Sequence, residues 1–188
     1  MPSGTLWATC NIGANSPEEY GDYFAWGETA PKDDYNWSNY KWCNGTLNTL
    51  TMYSTRSSYG YKGFVDNKTV LDPEDDAACV NWGSSWRMPT TEQEQELYDN
   101  CPSIWTTLNG VNGRLFTGPN DNTMFLPAAG IWSNSISREG LEGYYWSRTL
   151  HFNPNSAYYL FLWSPNNGVK QHNNQRSYGL TVRAVRVP

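Results

Sequence analysis

The segment Ala157–Trp163, Ala-Tyr-Tyr-Leu-Phe-Leu-Trp, restricts the fold more than any other stretch of this chain. It holds no charge and no breaker, and it reads as a strand. With a period of two, Tyr158, Leu160 and Leu162 share one side, and Tyr159, Phe161 and Trp163 share the other. Both sides are large and apolar or aromatic. Tyr144–Ser147 precedes it, and a polar run rich in Asn and Gln, Asn166–Tyr178, separates it from an apolar ending, Gly179–Val187. The segments 157–163 and 179–187 are expected to be strands of one sheet, with the polar run as a loop or exposed hairpin. An aromatic outward face beside a nearly uncharged polar loop suits a surface built to bind something.

With 188 residues, the chain is long enough for one domain with a sizeable core. The mean hydropathy of −0.69 is low for such a core. The ten Trp and thirteen Tyr make up the difference, because they bury large apolar area and keep a polar tip for a hydrogen bond. Sixteen Gly and eleven Pro predict short strands and many loops. A net charge of −5 argues against a nucleic-acid partner, which needs clustered Lys and Arg. No stretch reaches the apolar length of a membrane span, so no membrane insertion is expected. Cys10, Cys43, Cys79 and Cys101 form no zinc-type pair. Two disulfides, by any of three connectivities, and free buried thiols are equally consistent with their spacing. The abrupt entry from Pro2 into a strand reads as a domain truncated at its N-terminus, so the lack of a signal segment does not identify a compartment.

Along the chain, residues 5–12 read as a strand ended by Gly13. Ser16-Pro17-Glu18-Glu19 supplies a cap, a proline at the first helical position and acids in the first turn, which predicts a short helix to about Phe24–Trp26. Residues 29–69 carry no period and read as a packed flap or functional excursion, with Trp37, Trp42, Tyr53, Tyr59 and Tyr61 as anchors. Asp72-Pro73-Glu74-Asp75-Asp76 opens a second helical turn. The acids there fit a helix N-terminus better than calcium, since the calcium-loop spacing and glycine are missing. Thr90 or Thr91 with Gln93 or Glu94 forms a capping box for a helix to about Cys101. Residues 114–116 and 123–126 are two strands around the turn 118–122. A mobile loop is expected over 133–143. Few helices followed by a run of short strands give the α+β class, with two short helices, small antiparallel sheets and long loops.

Several of these segments together resemble one family. Pro2–Ala14, Gly21–Glu28 (Gly-Asp-Tyr-Phe-Ala-Trp-Gly-Glu), Asn81–Thr90 (Asn-Trp-Gly-Ser-Ser-Trp-Arg-Met-Pro-Thr), Phe125–Gly130, Tyr145–Ser147 and Gly179–Arg186 are similar, in order and nearly end to end, to landmarks of the Fibrobacter succinogenes major paralogous domain. That family is abundant in surface proteins of gut Bacteroidetes. The resemblance implies a C-type-lectin-like fold, shared with the variable proteins of diversity-generating retroelements and with the formylglycine-generating enzymes. It also implies a C-terminal ligand platform, here 144–178, in which fixed and variable side chains alternate. Ala157, Tyr158, Leu160, Leu162, Gly179, Val182 and Arg183 fall at framework positions. The ligand-binding candidates are Tyr144, Arg148, His151, Tyr159, Phe161, Trp163, Lys170, His172, Asn174 and Ser177. Adenine-directed change of an Asn codon does not yield Trp, so Trp163 fits an ordinary paralogue or a different template codon.

A formylglycine-generating enzyme needs reactive cysteines late in its domain, and nothing after Cys101 supplies one. His151 and His172 lack an adjacent carboxylate motif, and Glu92, Glu94 and Glu96 read as solvated residues at a helix start. Trp7, Trp82 and Trp86 read as core, and Arg183 and Arg186 as structural, paired with acids or stacked on Trp. The row Tyr159, Phe161, Trp163 reads equally as an exposed face or as core beneath 29–69. The expectation is therefore a non-enzymatic recognition domain for a protein or glycan, with no cofactor and no metal. Its setting is extracellular, on a cell surface or on a phage particle, with retroelement diversification as the sharpest version. A structural surface module of a gut bacterial lipoprotein comes second, and a formylglycine-type enzyme a distant third.

Overall fold

Both helices begin where their caps satisfy the free amides of the first turn. A 3-10 turn at Pro73–Asp75 leads into α1, Ala77–Trp82. Asp76 caps α1, its Oδ1 accepting from Ala78 N and Cys79 N at 3.0 and 3.1 Å. Helix α2, Thr91–Asn100, carries the full capping box: Thr90 Oγ1 accepts from Gln93 N, and Gln93 Oε1 accepts from Thr90 N. The computed structural model describes residues 1–164 and 168–186. Pro165–Asn167, in the predicted polar run, and Val187, at the end of the predicted last strand, lie outside the described residues.

The strands form small antiparallel sheets, so the α+β class holds. β1 is Leu6–Trp7, β2 Ser103–Leu108, β3 Val111–Thr117, β4 Thr123–Pro127, β5 Ile131–Ser133, β6 Ser135–Ser137, β7 Glu142–Leu150, β8 Ser156–Trp163, β9 Val169–Gln175 and β10 Val185–Arg186. They assemble as β1–β10, β2–β3–β4, β5–β6 and β7–β8–β9. The predicted pair around 118–122 is β3 and β4, and the polar run supplies the edge strand β9.

Four expectations are corrected. Residues 16–26 form no helix: after a turn at Ser16–Glu19, the chain runs extended, and Phe24 N and Trp26 N donate to Leu180 O and Arg176 O, each at 2.9 Å. Tyr23, Phe24, Ala25 and Trp26 are all buried, which an amphipathic surface helix would not allow. The predicted loop 133–143 begins at the last residue of β5 and contains its hairpin partner β6 and the start of β7. The strand 5–12 is regular only at β1, with isolated bonds continuing from Ala8 N and Ile12 N to Ala184 O and Val182 O. The ending 179–186 adds no regular strand to the sheet of β8, which it meets at a single isolated bridge, Tyr145 to Thr181. It is a strap that bridges Trp132, Phe24, Tyr145 and Arg87 in turn before pairing with β1.

That strap runs through the core. One apolar cluster gathers Phe24, Trp26, Tyr53, Trp146, Leu180 and Val182; a second packs α2, through Leu97, against Phe116, Tyr145, Leu160 and Leu162. Gly179 is required at its place, because a Cβ there would stand 2.9 Å from the Tyr35 ring. Two arginines on the strap side are fully buried without an acid partner, contrary to the expected pairing of Arg183. Arg183 donates from Nε, Nη1 and Nη2 to Asn11 Oδ1, Ala8 O and Phe125 O at 2.8–3.1 Å. Burial lowers its pKa to about 10, so it stays charged at neutral pH. Arg176 donates to Tyr40 Oη and to the carbonyls of Tyr53, Pro154 and Met52, and its guanidinium lies 4.9 Å from the Trp26 ring centre.

Those carbonyls hold the excursion 29–69 in place. Tyr53 is buried as expected, and Trp42 and Trp37 donate their indole N–H to Gly27 O and Gln175 Oε1. Tyr61 is exposed, and Tyr35, Tyr40 and Leu50, not singled out in the sequence, are buried anchors. Trp82 and Trp86 meet edge to face at the margin of the core, and Arg186 lies over Trp86 as a stacked, structural cation. All four cysteines are free thiols. Among the described residues, no helix is long and apolar enough to cross a membrane.

Candidate functional site

The two-sided apolar pattern of β8 arises because both faces are covered, but unequally. Leu160 and Leu162 face α2, while Ala157 and Tyr159 join the cluster of Trp146. The register fixes what surrounds them: Tyr144 lies opposite Phe161, Trp146 opposite Tyr159, Tyr159 opposite His172, and Phe161 opposite Lys170. Directly opposed residues point to the same face of a sheet. Tyr144, Tyr159, Phe161, Trp163, Lys170, His172 and Asn174 therefore share one side.

The rings on that side are continuous. Tyr144 lies 5.4 Å from Tyr159 and 5.0 Å from Phe161, and Phe161 stacks on Trp163 at 4.9 Å with an interplanar angle of 20°. His172 lies 5.9 Å from Tyr159, and the Lys170 ammonium sits 5.2 Å above the Trp163 ring. Burial is graded along the row. Tyr159 is 5% exposed, Phe161 and Trp163 are half-buried, and Lys170 and His172 are exposed. The floor belongs to the core and the rim faces solvent. The excursion 29–69 meets the sheet at its Arg176 end, through Trp37 Nε1 to Gln175 Oε1 and through the Tyr53 and Met52 carbonyls to Arg176.

Glu142, missed in the sequence because its segment read as a loop, completes the rim. Tyr144 donates its hydroxyl to Glu142, and Arg138 Nε stands 3.9 Å from the same carboxylate. Burial and then that carboxylate raise the Tyr144 pKa, and burial raises that of Tyr159, so both phenols stay protonated. Next to Glu142, Leu141 is 56% exposed.

Three candidates lie elsewhere. Ser177 is completely buried, and its Oγ has no partner, so it is not a platform contact. Arg148 follows the irregularity in β7 between Trp146 and Leu150 and turns away, donating from Nη2 to Leu71 O at 2.6 Å. His151 packs on Tyr158, which points to the face opposite Tyr159; its Nδ1 accepts from Asn153 N, and burial lowers its pKa. His151 and His172 are thus set on rings of opposite faces rather than as a pair. Among the described residues, no three His, Cys, Asp or Glu side chains form a group able to hold a metal.

The opposite face carries a polar residue that sequence reasoning misplaced. Glu94 is not solvated: it is fully buried beneath the sheet, and burial raises its pKa well above the ordinary 4.5. Gln171, between Lys170 and His172 on β9, donates from Nε2 to Thr91 O and, at 3.5 Å, to Glu94 Oε2. The strand that presents the rim is thereby tied to the first turn of α2.

Comparison of the chain with protein-family models, with curated proteins and with solved structures finds no match.

Proposed function

We propose that this protein is a non-enzymatic recognition domain whose ligand surface is the outward face of β7–β8–β9. The observation that carries the reading is the ring surface of Phe161 and Trp163, topped by exposed Lys170 and His172 and seated on the buried rings of Tyr144 and Tyr159. Stiff aromatic side chains give contact area at low entropy cost, and Lys170, His172 and Asn174 add polar contacts, as in a paratope. The α+β arrangement of short helices and small sheets supports a C-type-lectin-like fold, and the ordered landmarks support kinship with the Fibrobacter succinogenes major paralogous domain. The ligand would be a protein or glycan met outside the cell or on a phage particle. Retroelement diversification is a sharper form of the same reading. It predicts a reverse-transcriptase gene and a template repeat beside the coding sequence.

The test compares wild type with the triple variant Trp163→Ala, Lys170→Ala, His172→Ala on glycan arrays and on intact gut bacterial cells. Binding by the wild type that the variant loses, with an unchanged Tm, is the expected result. Equal binding by both, or no binding by either, overturns the platform. The deep burial of Tyr144 and Tyr159 would then favour the second reading, a structural surface module.

A further inference from the structure

A cleft of about 140 Å³ opens between the start of α1 and the segment before α2, lined by Asp76, Cys79, Ser84, Trp86, Arg87 and Arg148. It shares no residue with the ring face of the platform. Its size suits a small molecule, well below the roughly 300–1,000 Å³ of drug-sized sites.

Its electrostatics favour an anion. The one carboxylate at its base is already occupied: Asp76 Oδ1 accepts from Ala78, Cys79 and Met88 N, and Oδ2 accepts from Met88 N at 3.0 Å. The Arg148 Nε is buried and without a hydrogen-bond partner, the nearby Asp76 Oδ2 standing 3.9 Å away. That Nε is closed to the cleft and Nη2 is held by Leu71 O, which leaves Nη1 as the atom of Arg148 offered to a ligand. Arg87 adds a second guanidinium; among the described residues no carboxylate pairs with it. Arg186, outside the lining, lies over one face of the Trp86 ring. The Trp86 indole, held edge to face by Trp82 at 5.5 Å, gives the cleft a flat apolar wall.

We propose that this cleft is a second binding site, for a small carboxylate carried on a flat body. Arg148 and Arg87 take the carboxylate, and Trp86 takes the flat part. Planar guanidinium forks match the two oxygens of a carboxylate, and aromatic walls favour planar ligands.

The probe is benzoate, titrated calorimetrically into the whole chain at low ionic strength, with benzamide as its neutral isostere and sulfate as a bare anion. Benzoate is expected to bind saturably, and benzamide and sulfate at least about tenfold more weakly. Arg87→Met should weaken benzoate about tenfold without moving the Tm, and Arg87→Lys should recover part of the loss. Arg87 is the residue to change, because Arg148 also holds Leu71 and its loss would disturb the fold. Failure of benzoate to bind, equal binding of benzamide or sulfate, or benzoate affinity unaltered in Arg87→Met each overturns the proposal.

Discussion

At the scale of single residues, two fully buried arginines with no charged partner, Arg176 and Arg183, tie distant segments together. Arg176 is satisfied by one hydroxyl, three carbonyls and three aromatic rings, and it joins the excursion 29–69 to the end of β9. Arg176→Met would leave those acceptors dry and unbonded, at about 1–3 kcal/mol each before relaxation. The expected loss in chemical denaturation is at least about 3 kcal/mol, and Arg176→Lys recovers only part of it, since one ammonium cannot span the fork. Glu94 is the acidic counterpart. Its folded pKa lies above the unfolded 4.5, so the folded chain holds an extra proton between those two values. The resulting stability is complete below pH 4.5 and drains away as pH rises through the folded pKa. Glu94→Gln removes that titration. Its Tm should exceed that of the wild type at pH 8, and the advantage should shrink toward pH 4. A pH-independent difference would show that Glu94 is not the titrating group.

At the scale of elements, β8 divides a buried floor from a half-buried rim within one strand. Tyr159 belongs to the floor, and Tyr159→Ala should cost about 3–5 kcal/mol, whereas Trp163→Ala, on the half-buried rim, should cost markedly less. Equal losses in thermal or denaturant melts would count against the graded face. Elements whose signals are local were legible in the sequence. The box of Thr90 and Gln93 and the Asp-Pro start before α1 lie within a few residues of what they control, and the turn 118–122 does likewise. The segment 16–26 was misread because its local helix signals lose to distant partners, Leu180 and Arg176, that only the fold supplies. The shared side of Tyr159, Phe161 and Trp163 was legible in the period of two of β8. Glu142 was not, since nothing before Tyr144 alternates, and Arg148 and Ser177 were misplaced by an irregular β7 and by burial visible only in three dimensions.

At the scale of the whole molecule, the strap 179–186 links sheets that share no strand. It meets β5, β7 and β1 in succession through short runs of backbone hydrogen bonds, to which the buried fork of Arg183 adds three more. This arrangement lets a chain with mean hydropathy of −0.69 keep a firm interior: aromatic rings supply the area, and carbonyls spared from regular strands bind the cations.

The pairing of Leu6 with Arg186 and of Trp7 with Val185 has a mechanical consequence. When the two ends of the domain are pulled apart, the load reaches these antiparallel partners from the same side, and their bonds open one after another like a zipper. Peeling then meets Arg183, whose fork grips Ala8, Asn11 and Phe125 together and loads three bonds at once. The terminal pair yields gently and the guanidinium arrests the tear, so tension would be relieved at the margin before it reached the face at Trp163.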